Sequence, residues 1–199
     1  MIPPRSDAGQ AFPIYITVVA GLLFLALAYL AVGQAAVNRS GAQTAADSAA
    51  LAGAQNERDQ LTAQWVKVLV DPTKWEDIFE GKVTFADPCL RARQLATQND
   101  AALNYCPVPG MKYHVDVQTN ASVGRSVVPG SEHFQSKASA TAVIERLCTF
   151  NPSDGKAAGK KALPQLTCKD HRTWDLNPDD LTDLPKPQDL FDVHLANDQ

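Results

Sequence analysis

The chain has 199 residues, 45% of them hydrophobic and 20% charged, with a net charge of −4. That length sustains one modest core, and the composition excludes a collagenous, fully disordered or multi-span chain. Residues 1–55 carry only Arg5, Asp7, Arg39 and Asp47, which cancel, so the acidity lies in the C-terminal part. An acidic chain without clustered cations offers no nucleic-acid footprint, and Lys156, Lys160 and Lys161 read as a solvated loop.

No Asp, Glu, Lys or Arg occurs between Asp7 and Arg39. Ile14 to Val32 is an apolar run with Thr17 as its one non-aromatic polar residue. Roughly 20 apolar residues in a helix cross a ~30 Å hydrocarbon core, and only a helix satisfies a single backbone in lipid. Tyr15 and Tyr29 stand towards the two ends, where phenols meet headgroups. A secretory signal has a shorter core, about 7–15 residues, behind a positive segment. Here Arg5 is the only basic side chain before the run, so a retained anchor is expected. The predicted organisation is a short cytoplasmic leader (1–11), a transmembrane helix (12–37), an Ala-rich helical extension (38–70) and an extracellular α+β domain (71–199).

The extension has no proline until Pro72. Ala42, Ala46, Ala50 and Ala54 recur every four residues, as do Ala45, Ala49 and Gly53. That spacing puts each set on one helix face, where small side chains let another backbone approach. The expectation is a contact with a partner helix. Leu51, Leu61, Trp65 and Val68 continue with a larger apolar face directed at the globular part. Asp71-Pro72 ends the run, since the residue before proline disfavours the helical region.

Four cysteines behind one anchor imply two disulfides in an oxidising exterior. Cys89, Cys106, Cys148 and Cys168 allow three connectivities, of which Cys89–Cys106 and Cys148–Cys168 join neighbours in sequence. Asp87-Pro88 reads as a helix start, Asp as N-cap and Pro at the first position. A helix running on to Asn104 would hold Cys89 and Cys106 about 20 Å apart, too far to bond. A turn at Asn99-Asp100 instead lets Ala101 to Cys106 return as a strand, and the bridge closes.

Tyr113, Val115 and Val117 alternate with polar residues, and Ala138, Ala140, Ala142 and Ile144 do the same. Both segments read as strands with one buried face, joined through Pro129-Gly130. Leu190 to Leu195 reads as a last strand. Thr149 to Thr167 reads as a loop closed by Cys148–Cys168, and Asn177-Pro178 and Pro185 to Pro187 as coil. The fold expected is α+β: a long N-terminal transmembrane helix with an Ala-rich extension, then a small disulfide-bonded domain. In that domain short helices lie on an antiparallel sheet of about four strands.

Gly9 to Gln55 resembles the N-terminal region of TadE/TadG-like pilus-assembly proteins, in the form found in actinobacteria. The residues that carry the likeness are a GQAFP entry (Gly9 to Pro13), the apolar helix, and AQTAADSAALA (Ala42 to Ala52). Cys89 to Asp100, followed by Cys106 and a strand, is similar to the family's cysteine-containing helix–strand unit. The resemblance implies an envelope protein of tight-adherence, Flp-type pili: a pseudopilin-like minor pilin or assembly component. Its implied partners are the lipid bilayer and other helices of a pilus or envelope assembly, a second copy included. Two departures limit the carry-over. The prepilin Glu at the fifth position after a cut behind Gly9 is Ile14 here. The metal-binding Asp-x-Ser-x-Ser run of larger relatives does not occur, so no metal or cofactor is expected.

No catalytic constellation is found. His114, His133, His171 and His194 form no His-Glu-x-x-His, and no Gly-x-Ser-x-Gly or phosphate-cradling Gly-rich loop occurs. Cys168-x-x-His171 has zinc-ligand spacing only if Cys148 and a further ligand join it; a disulfide with a surface His is the plainer reading. Asp175, Asp179, Asp180 and Asp183 read as a solvated acidic loop. Asn38-Arg-Ser40 and Asn120-Ala-Ser122 match a glycosylation sequon, a weak signal. The function expected is therefore non-enzymatic, association through the N-terminal helix. The alternative is a membrane-anchored extracellular binding module outside any filament.

Overall fold

The computed structural model describes residues 11–107, 109–122, 133–151, 163–177, 179–180 and 182–196. The leader, apart from Ala11, lies outside the described residues, as do Pro129-Gly130, Pro178 and the lysines at 156, 160 and 161.

The first element is one helix, α1, Ala11–Lys67, 57 residues without a break. At 1.5 Å per residue it is about 85 Å long. It gathers the apolar run and the Ala-rich extension into a single rod. It ends three residues earlier than the 38–70 boundary, because Val68 to Val70 close a turn in which the Asp71 N–H donates to the Val68 carbonyl at 2.8 Å. A 3-10 turn, Pro72–Lys74, leads into a short helix not foreseen from the sequence, α2, Trp75–Phe79.

The next helix, α3, is Leu90–Gln98. Its start corrects the expectation at Asp87-Pro88. Asp87 takes a positive φ of 37°, and the carbonyl of Pro88 accepts the Tyr113 hydroxyl at 2.7 Å instead of opening a helix. The end is where the bridge requires it: Asn99 caps α3 and Asp100 turns the chain with φ 53°. Strand β1, Ala101–Tyr105, then returns to Cys106.

Strands β2, Lys112–Ser122, and β3, Gln135–Arg146, are longer than their alternating cores suggested. Each includes a polar end that the hairpin register still pairs. Tyr113, Val115 and Val117 face inward, with Ala140, Ala142 and Ile144 beside them. Two three-residue strands follow, β4, Cys148–Phe150, and β5, Leu166–Cys168, then β6, Thr173–Trp174. A one-turn helix, α4, Pro187–Leu190, precedes β7, Phe191–Leu195. Leu190, read from sequence as strand, belongs to that helix.

The main sheet is antiparallel in the order β1-β2-β3-β7. Its register pairs Ala101 with Thr119, Val115 with Ala140 and Ile144 with Val193. A second sheet, β4-β5-β6, was not expected. Its strands are too short for alternation to announce them. Helix α1 packs against β2, β3 and β7, with α3 alongside it. At the far end Trp65, Trp75, Phe79, Phe150 and Phe191 form an aromatic cluster of edge-on and tilted contacts, with Trp65 and Trp75 ring centroids 5.5 Å apart. It joins α1, α2, the second sheet and β7.

Candidate functional site

Helix α1 lives in two environments. From Phe12 to Gly41 nearly every side chain is exposed, including Leu22, Leu23, Phe24, Leu25 and Leu30. This part is long and apolar enough to cross a membrane by length and composition, and no residue of its most apolar window is buried. Tyr15 and Tyr29, assigned from sequence to the membrane interfaces, are exposed at the two ends of the run. From Ala42 onward the same helix becomes the backbone of a protein core.

Ala42, Ala45, Ala46, Ala49, Ala50 and Ala54 are completely buried, and Gly53 is buried with them. What covers them is the chain's own sheet and α3. The small-residue stripe that the sequence analysis directed at a partner helix is therefore filled from within. The spacing argument asked for a close backbone neighbour, and a sheet with small inward residues such as Ala140 and Ala142 meets that demand as well as a helix does. Gly53 is the extreme case. A Cβ built there would lie 2.2 Å from Cε1 of Tyr113, so only glycine fits. Polar ties reinforce the seating. Asn99 Nδ2 donates to Ser48 Oγ at 3.0 Å. Gln43 Nε2 donates to Asp47 Oδ1 at 2.8 Å and reaches the Ser139 carbonyl at 3.4 Å.

Further along, Leu61 and Trp65 are fully buried and Leu51 and Val68 partly so, the larger apolar face expected. Two glutamines fix the segment that passes over it. Gln60 donates to the Ala86 carbonyl at 3.0 Å and accepts the Ala86 N–H at 2.7 Å, and Gln64 donates to the Thr84 carbonyl at 2.9 Å.

Glu57 is the residue that sequence reasoning missed. It is fully buried, its Oε2 accepts only a long bond from the Gly110 N–H at 3.4 Å, and Oε1 has no partner among the described residues. Burial pushes its carboxyl up to about 7, against the opposing pull of that N–H. The same burial, with the Glu57 charge, pushes the Tyr113 phenol up. The signal was present: Glu57 stands four residues after Gly53 and four before Leu61, on the packed face.

The cysteines pair Cys89–Cys106 and Cys148–Cys168. Cys148–Cys168 closes the segment between them as expected, and the two cysteines are direct cross-strand neighbours in β4 and β5. With both sulfurs bonded to each other, neither is available to His171 for zinc. His114 and His194 lie on exposed strand faces, against Thr141 at 2.8 Å and Asp192 at 3.0 Å. The acidic residues of the late loop serve local turns: Asp180 Oδ1 accepts the Thr182 N–H and hydroxyl, which hold its carboxyl below the usual range. Asp175 accepts from Gln165 at 2.6 Å. Glu145, Asp192 and His194 come within 4.8 Å of one another on β3 and β7, all exposed, with Lys169 paired to Glu145.

Residues 9–56 match the family model Tad, Flp pilus-assembly TadE/G-like. The Tad segment thus spans the bare apolar stretch and the small-residue face and stops beside Glu57. The globular part beyond it is outside the match. No curated protein and no solved structure matches the chain.

Proposed function

We propose that the chain is a non-enzymatic envelope protein of a Tad-type pilus or related surface assembly, a minor pilin or assembly component. Residues 12–37 hold it in the bilayer by a single pass, and the domain from residue 71 onward lies outside the cell. The observation that carries this reading is the division of α1: its Tad segment is bare and apolar to Gly41 and buried from Ala42. Two disulfides support an oxidising exterior for the domain. Since Ala42 to Ala54 are occupied by the chain's own domain, association falls to the exposed stretch 12–41, facing lipid or the helices of other subunits.

The test is photo-crosslinking in the native envelope, with a photoreactive residue at position 24 or 27 and mass spectrometry of the adducts. Crosslinks to pilus subunits or to a second copy are expected. Adducts to lipid alone from both positions would replace this reading with an anchored binding module outside any filament.

A further inference from the structure

The sheet reaches down to the membrane segment. Near its start strand β2 sets Tyr113 against Gly53, and it ends with Ser122, which shares a groove with Tyr29, Leu30, Gly33, Gln34, Val37 and Asn38. The strand therefore runs antiparallel to α1 and terminates beside the last turns of its apolar part. From Tyr29 to Val37 is about 12 Å of helix at 1.5 Å per residue. The strand end thus overlaps the zone where a bilayer passes from hydrocarbon to headgroups, since the polar layers add only about 5–7 Å on each side of a ~30 Å core.

Phe134 stands at this level. Ser122 pairs with Gln135, and Phe134 is one position beyond that pair, on the apolar-helix side. Phe134 is 67% exposed, whereas Phe79 and Phe191 are almost completely buried. Lys137 is exposed three positions further along β3, Arg39 is exposed two residues after Val37 on α1, and Asp100 shares a groove with Val37 and Ser40. An exposed aromatic at the level of the apolar run, with cations about 10 Å further from it, is the composition of an interfacial lipid contact.

Resting on the anchored reading of residues 12–37, we infer that Phe134 inserts into the same leaflet interface as the outer end of α1. The domain then sits on the bilayer at two points, the helix and the Ser122–Gln135 end of the β2–β3 pair, rather than standing clear on a stalk. The occupant of this surface is the lipid interface itself.

The full chain in nanodiscs of phosphatidylcholine and phosphatidylglycerol, doped with a headgroup-nitroxide lipid, tests this. Trifluoromethyl-phenylalanine is placed singly at positions 134, 29 and 105 and read by fluorine NMR. Position 105 is exposed, aromatic and about 20 Å further up the sheet, since Tyr105 pairs with Asp116, six residues before Ser122. The expected result is a resonance broadened by the nitroxide at 134 as at 29, and a sharp line at 105. Broadening at 29 with a sharp line at 134 would overturn the second contact and leave the anchor standing. Sharp lines at both would overturn the anchor too. A label at 134 shielded from water yet untouched by the nitroxide would mark a protein neighbour and also overturn the lipid contact.

Discussion

The ring of Tyr113 occupies the space that a β-carbon on residue 53 would need, with Cε1 only 2.2 Å from that position. The tyrosine cannot simply swing away, because its hydroxyl donates to the Pro88 carbonyl at 2.7 Å and lies 3.4 Å from Cys106 Sγ. One contact therefore couples α1, β2 and the Cys89–Cys106 unit.

Gly53→Ala should destabilise the domain by about 1–3 kcal/mol through overpacking, although alanine is intrinsically the better helix former by about 1 kcal/mol. Tyr113→Leu in the same chain should recover part of the loss. Chemical denaturation of the four variants of this cycle in detergent measures the coupling. Additive effects would show that the two residues do not compete for the same space.

Ala46→Leu and Ala50→Leu should act on the fold before they act on assembly. Both sites are sealed by the chain's own sheet and α3, so each added side chain should cost about 1–3 kcal/mol. Ala36→Leu, on the exposed stretch, should leave the denaturation midpoint unchanged. Equal midpoints for all three variants would contradict the burial.

Glu57 makes stability depend on pH with a defined sign. Its folded value, about 7, lies above the ordinary 4.5, so the folded state holds a proton that the unfolded chain has released. Stability is full below 4.5, falls as pH rises towards about 7, and is flat above. Between about pH 5 and about pH 8 the loss should be on the order of 2 kcal/mol. Glu57→Gln should remove that slope and be the more stable form at the higher pH. A urea midpoint for the wild type that does not fall over this interval would refute the burial of an unpaired carboxylate.

Cys89 and Cys106 close a loop of 17 residues, and removing the bridge should cost about 3 kcal/mol. The double change Cys89→Ala with Cys106→Ala, measured by thermal denaturation beside the native chain, gives the figure. Peptide mapping without reductant should return only the 89–106 and 148–168 pairs.

Much of the architecture was legible from periodicity. The alternation of Tyr113, Val115 and Val117 specified a buried face, and the turn at Asn99-Asp100 followed from needing Cys89 near Cys106. Four things were hidden for distinct reasons. The strands β4, β5 and β6 span two or three residues each, less than one full alternation. The helix α2 is five residues long and is specified by the aromatic cluster that Trp75 and Phe79 join, which local sequence does not announce. The Ala stripe reported correctly that something packs closely, but i, i+4 spacing describes one surface and carries no information about its mate. Glu57 was passed over because a single acid in a helix usually faces water; only its phase relative to Gly53 and Leu61 distinguished it.

The unbroken helix has a mechanical consequence. Strands β2 and β3 lie along its second half, fastened at Gly53 and Gln43, and the end of α3 is tied to Ser48 through Asn99. A pull between the bilayer and the domain therefore loads these attachments in shear, many at once, rather than peeling them open one after another. The helix transmits tension as a strut, and the two disulfides confine any yielding to segments outside their loops. A chain built this way can bear load between a membrane and a surface structure without first unravelling at the junction.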